Sequence, residues 1–231
     1  MPELTERLCT GSYLGDVEGV ELLLSLGADP NETDHKGNHA LNYAAGAGHA
    51  TVVQRLIAAG ADINRTNTDT RTPLMSAASS GHRFVVTVLL AAGADPNIVG
   101  RTGTALHLAA AKGCDIIVRQ LLDVGANAQA LSPDGVSTLH SCARTTTTTI
   151  AEMLLAAGAD INAMEWHERA TPLDWARVNR NEGLAQFLRS RGALLGEEID
   201  RPRARSGRGC LLPVGLGLTC LLVCCVVTYL R

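Results

Sequence analysis

The chain has 231 residues, of which 46% are hydrophobic and only 3% aromatic, and its formal net charge is −3 at pH 7. This charge is uneven, because residues 1–196 carry 15 Lys or Arg against 20 Asp or Glu, whereas residues 197–231 carry 5 Arg and 3 acids. A mildly acidic body argues against a nucleic-acid-binding protein, which usually presents a basic face.

The N-terminus and the cysteines bear on the cellular compartment. Residues 1–7 lack the basic and apolar layout of a secretory signal peptide, so we expect the body of the chain to remain in the cytosol. The adjacent pair Cys224-Cys225 lies in an apolar run without a nearby His or acid. We therefore expect reduced thiols rather than a disulfide framework, a metal site or a redox site.

A short unit recurs along residues 3–195. Its clearest copy begins at Thr72-Pro73-Leu74-Met75 and ends at Gly93-Ala94-Asp95-Pro96-Asn97. The terminal glycine returns every 32 to 34 residues, at Gly27, Gly60, Gly93, Gly125, Gly158 and Gly192. One such unit cannot bury its apolar residues alone, so a fixed period in this range predicts a solenoid of stacked repeats.

The start of the unit is also repeated. Copies begin at Thr72, Thr104, Ser137 and Thr171, with a weaker one at His39. The period and this start together resemble the ankyrin repeat, which implies an all-α solenoid of helix pairs joined by projecting fingers. Within a repeat domain at 3–195, the repeats lie near 5–31, 38–64, 71–97, 103–129, 136–162 and 170–195.

Local chemistry agrees with this division. The hydroxyls of Thr72 and Thr171 suit an N-cap, and the prolines that follow them suit the first helical position. The finger near residues 100–103 is one residue shorter than the others, and the finger at 164–169 is one residue longer. In the fifth repeat, Thr145–Thr149 replaces the turn, so we expect its second helix to start late, near Thr149 or Ile150.

The tail changes character after the repeats. Residues 196–210 are Arg-rich and predict a flexible linker, and 211–230 is an uncharged run of bilayer length that predicts a C-terminal transmembrane helix. A buried last helix of the array is the alternative. With four Arg upstream and one downstream, the positive-inside rule indicates a tail-anchored protein with cytosolic repeats, in the endoplasmic reticulum or the mitochondrial outer membrane.

The sequence of this tail suggests two further features, a lipid modification and a helix–helix contact. Cys210, at the cytosolic edge of the span, could carry a reversible palmitoyl chain, although an unmodified thiol is the alternative. Small side chains share one face of the predicted span, at Gly217, Cys220, Cys224 and Thr228. Such a face allows helices to approach closely in lipid, so it predicts self-association, unless the small residues only dilute the hydrophobicity.

The histidines are the residues that most suggest catalysis. His107 and His140 lie 33 residues apart at one register, but that register holds Cys9, Asn42, Met75 and Asp174 elsewhere, which is no ligand set. The family resemblance instead implies that these histidines tie neighbouring repeats together through the backbone. We expect no enzyme, no cofactor, no metal and no small-molecule substrate.

What remains is a protein-binding surface. If the family geometry holds, the concave face and the fingers carry Tyr43, Ser76, Ser79, Leu108, Lys112, Arg144, Trp166 and Trp175. We expect a groove that is small and neutral at Tyr43 and basic and aromatic towards Arg144 and Trp175, although Trp175 could belong to the core of the last repeat. The sequence thus predicts a membrane-anchored adaptor with protein partners, or alternatively a regulatory subunit whose membrane helix joins a channel or membrane enzyme complex.

Overall fold

The computed structural model describes residues 2–145 and 147–199, which form six helix pairs in two layers. The first helices of the pairs pack on one another in chain order, and the second helices form the other layer. The first helices are α1 (Pro2–Leu14), α3 (Ala40–Ala47), α5 (Pro73–Ser80), α7 (Ala105–Lys112), α9 (Thr138–Ser141) and α11 (Pro172–Val178). The second helices are α2 (Val17–Ser25), α4 (Ala50–Ala58), α6 (Arg83–Ala91), α8 (Asp115–Asp123), α10 (Thr149–Ala156) and α12 (Glu182–Ser190). The predicted all-α solenoid is confirmed.

The helix ends follow the sequence signals. The Thr72 hydroxyl accepts a hydrogen bond from the Met75 N–H at 3.2 Å, and Pro73 opens α5. In the fifth repeat, α10 begins at Thr149, as the β-branched run before it predicts. The first helix of that repeat is also short, because α9 passes into a 3-10 turn at Cys142–Arg144.

Small and branched aliphatic side chains fill the space between the layers. Leu56, Leu89, Leu121 and Leu154 on the second helices are fully buried. The first helices contribute alanine pairs such as Ala77-Ala78, also fully buried, which let neighbouring helices approach closely. Because leucine and alanine do this packing, the core needs few aromatic residues.

Each helix pair after the first is preceded by a finger, here named by its residue numbers. In every finger the N–H of the first residue donates to the carbonyl of the last. The donor–acceptor pairs are Asp34–Asn38 at 2.8 Å, Asn67–Arg71 at 3.0 Å, Gly100–Gly103 at 3.0 Å, Ser132–Val136 at 2.9 Å and Glu165–Ala170 at 3.1 Å. The fingers are therefore closed hairpin-like loops held at fixed positions beside the first helices.

The structure corrects one boundary of the tail. Residues 196–199, predicted as the start of a flexible linker, form a short helix, α13 (Gly196–Ile199). This helix is held because Glu198 pairs with Arg189 at 2.8 Å and the Gly196 N–H donates to Asp174 at 2.8 Å. No helix within residues 2–145 and 147–199 has the length and apolar character needed to cross a membrane.

The remaining predictions on the tail concern residues that the structure does not describe. They are the rest of the linker, the span at 211–230, the lipidation of Cys210 and the helix face at Gly217, Cys220, Cys224 and Thr228.

Candidate protein-binding surface

Side chains on several first helices link their repeat to the next finger. His107 donates from Nε2 to the Val136 carbonyl at 3.0 Å, and its Nδ1 accepts from the Thr104 N–H at 3.2 Å. His140 repeats this arrangement one repeat later, with its Nε2 2.9 Å from the Ala170 carbonyl. Burial lowers the pKa of both imidazoles, so their neutral forms are favoured. These histidines are structural links, as the resemblance implied.

A second set of links runs along the turns between the first and second helices. His49 and His82 donate from Nε2 to the carbonyls of Tyr13 and Gly46, both at 3.0 Å. At the same turn of the sixth repeat, the Asn181 amide donates to the Ala143 carbonyl at 3.1 Å. These side chains therefore join the turns of neighbouring repeats.

A third set of links was not anticipated from the sequence. An asparagine lies two residues after the aspartate of each Gly-Ala-Asp segment. Its side-chain oxygen accepts a hydrogen bond from a backbone N–H in the corresponding segment of the next repeat. Thus Asn64 accepts from the Asp95 N–H at 2.9 Å, and Asn162 accepts from the Leu194 N–H at 2.8 Å. The sequence does show an asparagine recurring two residues after the aspartate. Its hydrogen-bond partner lies about one repeat away, so the pattern alone does not indicate the contact.

One group of carboxylates and imidazole could hold a metal by its geometry. Ligand atoms of Glu6, Asp34 and His35 lie within 4.8 Å of one another. They already serve the protein, because His35 Nδ1 contacts Glu6 at 2.7 Å and the Tyr43 hydroxyl donates to Asp34 at 2.7 Å. The hydrogen bonds of this cluster hold the first finger, 34–38, in place.

The fingers and the first helices share one surface, here called the inner surface. Near the N-terminus it contains a cavity of about 210 Å³. Tyr43, Ser76 and Ser79, three of the predicted residues, line it together with Tyr13, whose ring meets that of Tyr43 edge-to-face. Asn38 and Asn67 supply the finger side of the cavity. Asp69 and Arg71 also line this cavity, so charged side chains stand beside uncharged ones where the sequence predicted a small, neutral groove.

Near the C-terminus the inner surface contains a larger cavity of about 410 Å³ between finger 165–170 and α11. The half-buried Trp175 lines it and meets the His140 ring edge-to-face, 5.2 Å between centroids. Trp175 is thus neither part of the closed core nor fully exposed. This cavity is lined by Glu165, Glu168 and Asp174, so the prediction of a basic groove at Trp175 is wrong.

Arg144 lies in a different place from the one predicted. It lines a cavity of about 440 Å³ at the turn edge, beside Arg180 and Asn181. The reason is the short α9, because the chain has entered the 3-10 turn by Arg144 and no longer follows the inner surface. The two cavities adjoin, since Asn179 lines both.

The other predicted residues, Trp166, Leu108 and Lys112, lie outside these cavities. Trp166 lies at the tip of finger 165–170 with its indole against Gly135, where an added Cβ would lie 2.4 Å from the ring. The Trp166 side chain is nonetheless 64% exposed. Leu108 is half-buried against the core, and Lys112 is exposed at the end of α7. The predicted residues therefore spread along the array and do not form one pocket.

Glu165 is a further residue that the sequence did not single out. It is buried, and its carboxylate accepts from the N–H groups of His167 at 2.9 Å, Glu168 and Ala170 at 3.3 Å. Burial acts to raise the pKa of this carboxyl, but the three backbone donors outweigh it and lower the pKa. Glu165 thus fixes the finger that carries Trp166.

Comparison with known proteins bears on this architecture. A family model described as ankyrin repeats (3 copies) matches residues 8–100 and 99–165. The potassium channel KOR1 of Oryza sativa subsp. japonica is 46% identical over 187 residues, which are 80% of this chain and 21% of the channel. Human ankyrin repeat and SOCS box protein 16 is 37% identical over 84 residues, 36% of this chain and 18% of that protein. The chain spans about a fifth of the length of these curated relatives.

Proposed function

Because the chain belongs to the ankyrin repeat family, we propose that it is an adaptor that binds a protein partner on its inner surface and holds it at a membrane. It performs no turnover of its own, and it takes neither nucleic acid nor a small-molecule substrate. Its repeats act as a rigid support, since three sets of side-chain hydrogen bonds join neighbouring repeats.

The observation that carries this proposal is the state of Trp166. Its indole is fixed against the backbone of Gly135, yet the side chain is 64% exposed. Tryptophan and arginine are over-represented among the residues that dominate binding energy at protein interfaces. A rigid exposed indole loses little conformational entropy when a partner covers it, so it suits such a role.

Partner capture tests this function. Proximity labelling with the full chain in cells would identify partners, and Trp166→Ala should reduce their labelling. The matched control is Phe84→Ala, because Phe84 is 65% exposed but lies on a second helix. Circular dichroism should be unchanged in all variants. Equal loss in the Phe84 variant, or no loss in the Trp166 variant, would place the interface elsewhere.

For the membrane, we propose that the apolar run at 211–230 spans a bilayer with the repeats on the cytosolic side. The support is in the sequence, since 211–230 has no charge and Arg201, Arg203, Arg205 and Arg208 precede it. The endoplasmic reticulum and the mitochondrial outer membrane are the proposed locations. Full-length protein should resist carbonate extraction while protease added to intact microsomes digests the repeats; a chain lacking 210–231 should be soluble.

A second candidate function comes from the comparison with a channel. A relative named as a potassium channel is 46% identical over 80% of this chain. This favours a regulatory subunit that docks on a channel, with the repeats as its docking domain. Co-purification of a polytopic channel protein, dependent on residues 211–230, would favour this candidate over a free adaptor.

A further inference from the structure

The cavity beside Trp175 has a chemistry that limits what can occupy it. Its lining contains three carboxylates, from Glu165, Glu168 and Asp174, one imidazole, from His167, and no lysine or arginine. Its volume of about 410 Å³ falls within the roughly 300–1,000 Å³ of ligand pockets, so it admits a long side chain with adjoining backbone. An acidic or phosphorylated occupant would be repelled here.

The apolar part of the cavity is equally specific. Val178, on the last turn of α11, lines the cavity and is 82% exposed, so its side chain is open to contact. Trp175 lies one turn earlier on the same helix and is half-buried. Together they offer an aliphatic and an aromatic surface next to the carboxylates.

The carboxylates differ in what they can still bind. Glu165 is occupied by backbone donors of its own finger, and Asp174 accepts from the N–H groups of Thr171 at 2.9 Å and Gly196 at 2.8 Å. Both therefore contribute negative potential more than direct contacts. The exposed Glu168 carboxylate, by contrast, is placed to pair with an incoming donor.

We propose that this cavity binds an arginine side chain carried by an extended basic segment of the partner protein. Arginine has the aliphatic stem that Val178 matches, a planar cation that packs on an indole, and a donor fork suited to the Glu168 carboxylate. The proposal rests on the adaptor function above and adds the chemistry of its partner.

Tryptophan fluorescence tests it on the full chain. The chain has two tryptophans, so Trp166→Phe leaves Trp175 as the reporter. The probe is a ten-residue synthetic peptide with three arginines separated by Gly-Ser. It should shift Trp175 fluorescence saturably, and a peptide with neutral citrulline in place of arginine should bind at least tenfold more weakly.

Variants locate the binding. Glu168→Gln should weaken the arginine peptide several-fold and reduce its salt dependence, whereas Glu152→Gln, at an exposed acid on α10, should change neither. Because Glu168 is exposed, we expect Glu168→Gln to leave the fold intact. Equal binding of the citrulline peptide, or no effect of Glu168→Gln, would overturn the proposal.

The same variants separate the two levels of inference. If the arginine peptide does not bind but Trp166→Ala still reduces partner labelling, the proposed occupant is wrong and the adaptor function stands. If labelling is also unchanged, both fail.

Discussion

Glu165 and Gly100 are each the first residue of a finger, and the residue with the long side chain, Glu165, begins the longer finger. Finger 165–170 has six residues, and the Glu165 carboxylate reaches across it to the Ala170 N–H at 3.3 Å. Finger 100–103 has four residues, and two backbone hydrogen bonds close it without a side chain. The five-residue fingers use side chains of intermediate length, from Asp34, Asn67 and Ser132. Side-chain reach thus matches loop length.

This match predicts a loss of stability in Glu165→Asp. The shorter side chain keeps the charge but cannot span six residues, so backbone N–H groups of the finger lose their acceptor. We expect about 1–3 kcal/mol lower free energy of unfolding, measured by chemical denaturation. Glu18→Asp, on the exposed first turn of α2, should change stability little. Equal effects of the two variants would contradict the role of Glu165.

The buried histidines predict acid sensitivity. Burial lowers the pKa of His107 and His140 below the unfolded value of about 6.5, so the unfolded chain binds more protons at mildly acidic pH. The contribution of these histidines to the free energy of unfolding should therefore be complete above pH about 6.5 and decrease as the pH falls below that value.

Asparagine offers a replacement that does not titrate. At the same register the Asn42 amide donates to the Arg71 carbonyl at 2.8 Å. Unfolding measured between pH 7 and 5 should thus show a shallower decline for His107→Asn with His140→Asn than for the unaltered chain. An identical slope would show that these imidazoles do not set the pH dependence.

Arg180 predicts a stabilising substitution. It adopts φ +57°, at the turn position that holds Gly48, Gly81 and Gly113 in other repeats. A side chain in this left-handed conformation costs about 1–2 kcal/mol, and glycine avoids that cost. Thermal unfolding should therefore occur at a higher temperature in Arg180→Gly but not in Arg180→Ala. A gain in both variants would point to charge rather than to the backbone.

Two glycine substitutions of opposite sign test the backbone in isolation. Gly60 has φ +88° and open space where a Cβ would be, so Gly60→Ala should cost about 1–2 kcal/mol from conformation alone. Gly46 lies inside α3, and its added Cβ would make an ordinary 3.7 Å contact with Ser76. Gly46→Ala should stabilise the chain by about 0.5–1 kcal/mol. Denaturation midpoints that move in the same direction would contradict this assignment.

Local signals predicted the scaffold well. The N-cap of α5 at Thr72, the left-handed Gly60 and the late start of α10 at Thr149 depend on residues within one turn, and all three agree with the sequence. The histidine links were predicted because the same residue type recurs at the same register. The periodicity of the sequence was therefore enough to predict the fold and to propose the division into repeats.

The inner surface was harder to predict because it depends on residues one repeat apart. Trp166 lies against Gly135, which precedes it by 31 residues, and no local pattern indicates that contact. Arg144 left the inner surface because α9 ends after one turn. Two of the three carboxylates beside Trp175 come from finger 165–170, and the path of that finger depends on Glu165. The role of Glu165 becomes visible only in three dimensions, where its carboxylate spans the longer loop.

The junction between the third and fourth repeats differs from its neighbours. There the inner-helix register holds Met75, which cannot donate, and the turn register holds Cys114 where earlier repeats have histidine. Among residues 2–145 and 147–199, these two positions thus lack links that His107 and His82 provide elsewhere. The asparagine link is retained there, since Asn97 accepts from the Asn127 N–H at 2.8 Å. In a linear array, an interface with fewer links is a place where cooperativity can break. Hydrogen exchange should therefore resolve two foldons, one on each side of finger 100–103, which open independently.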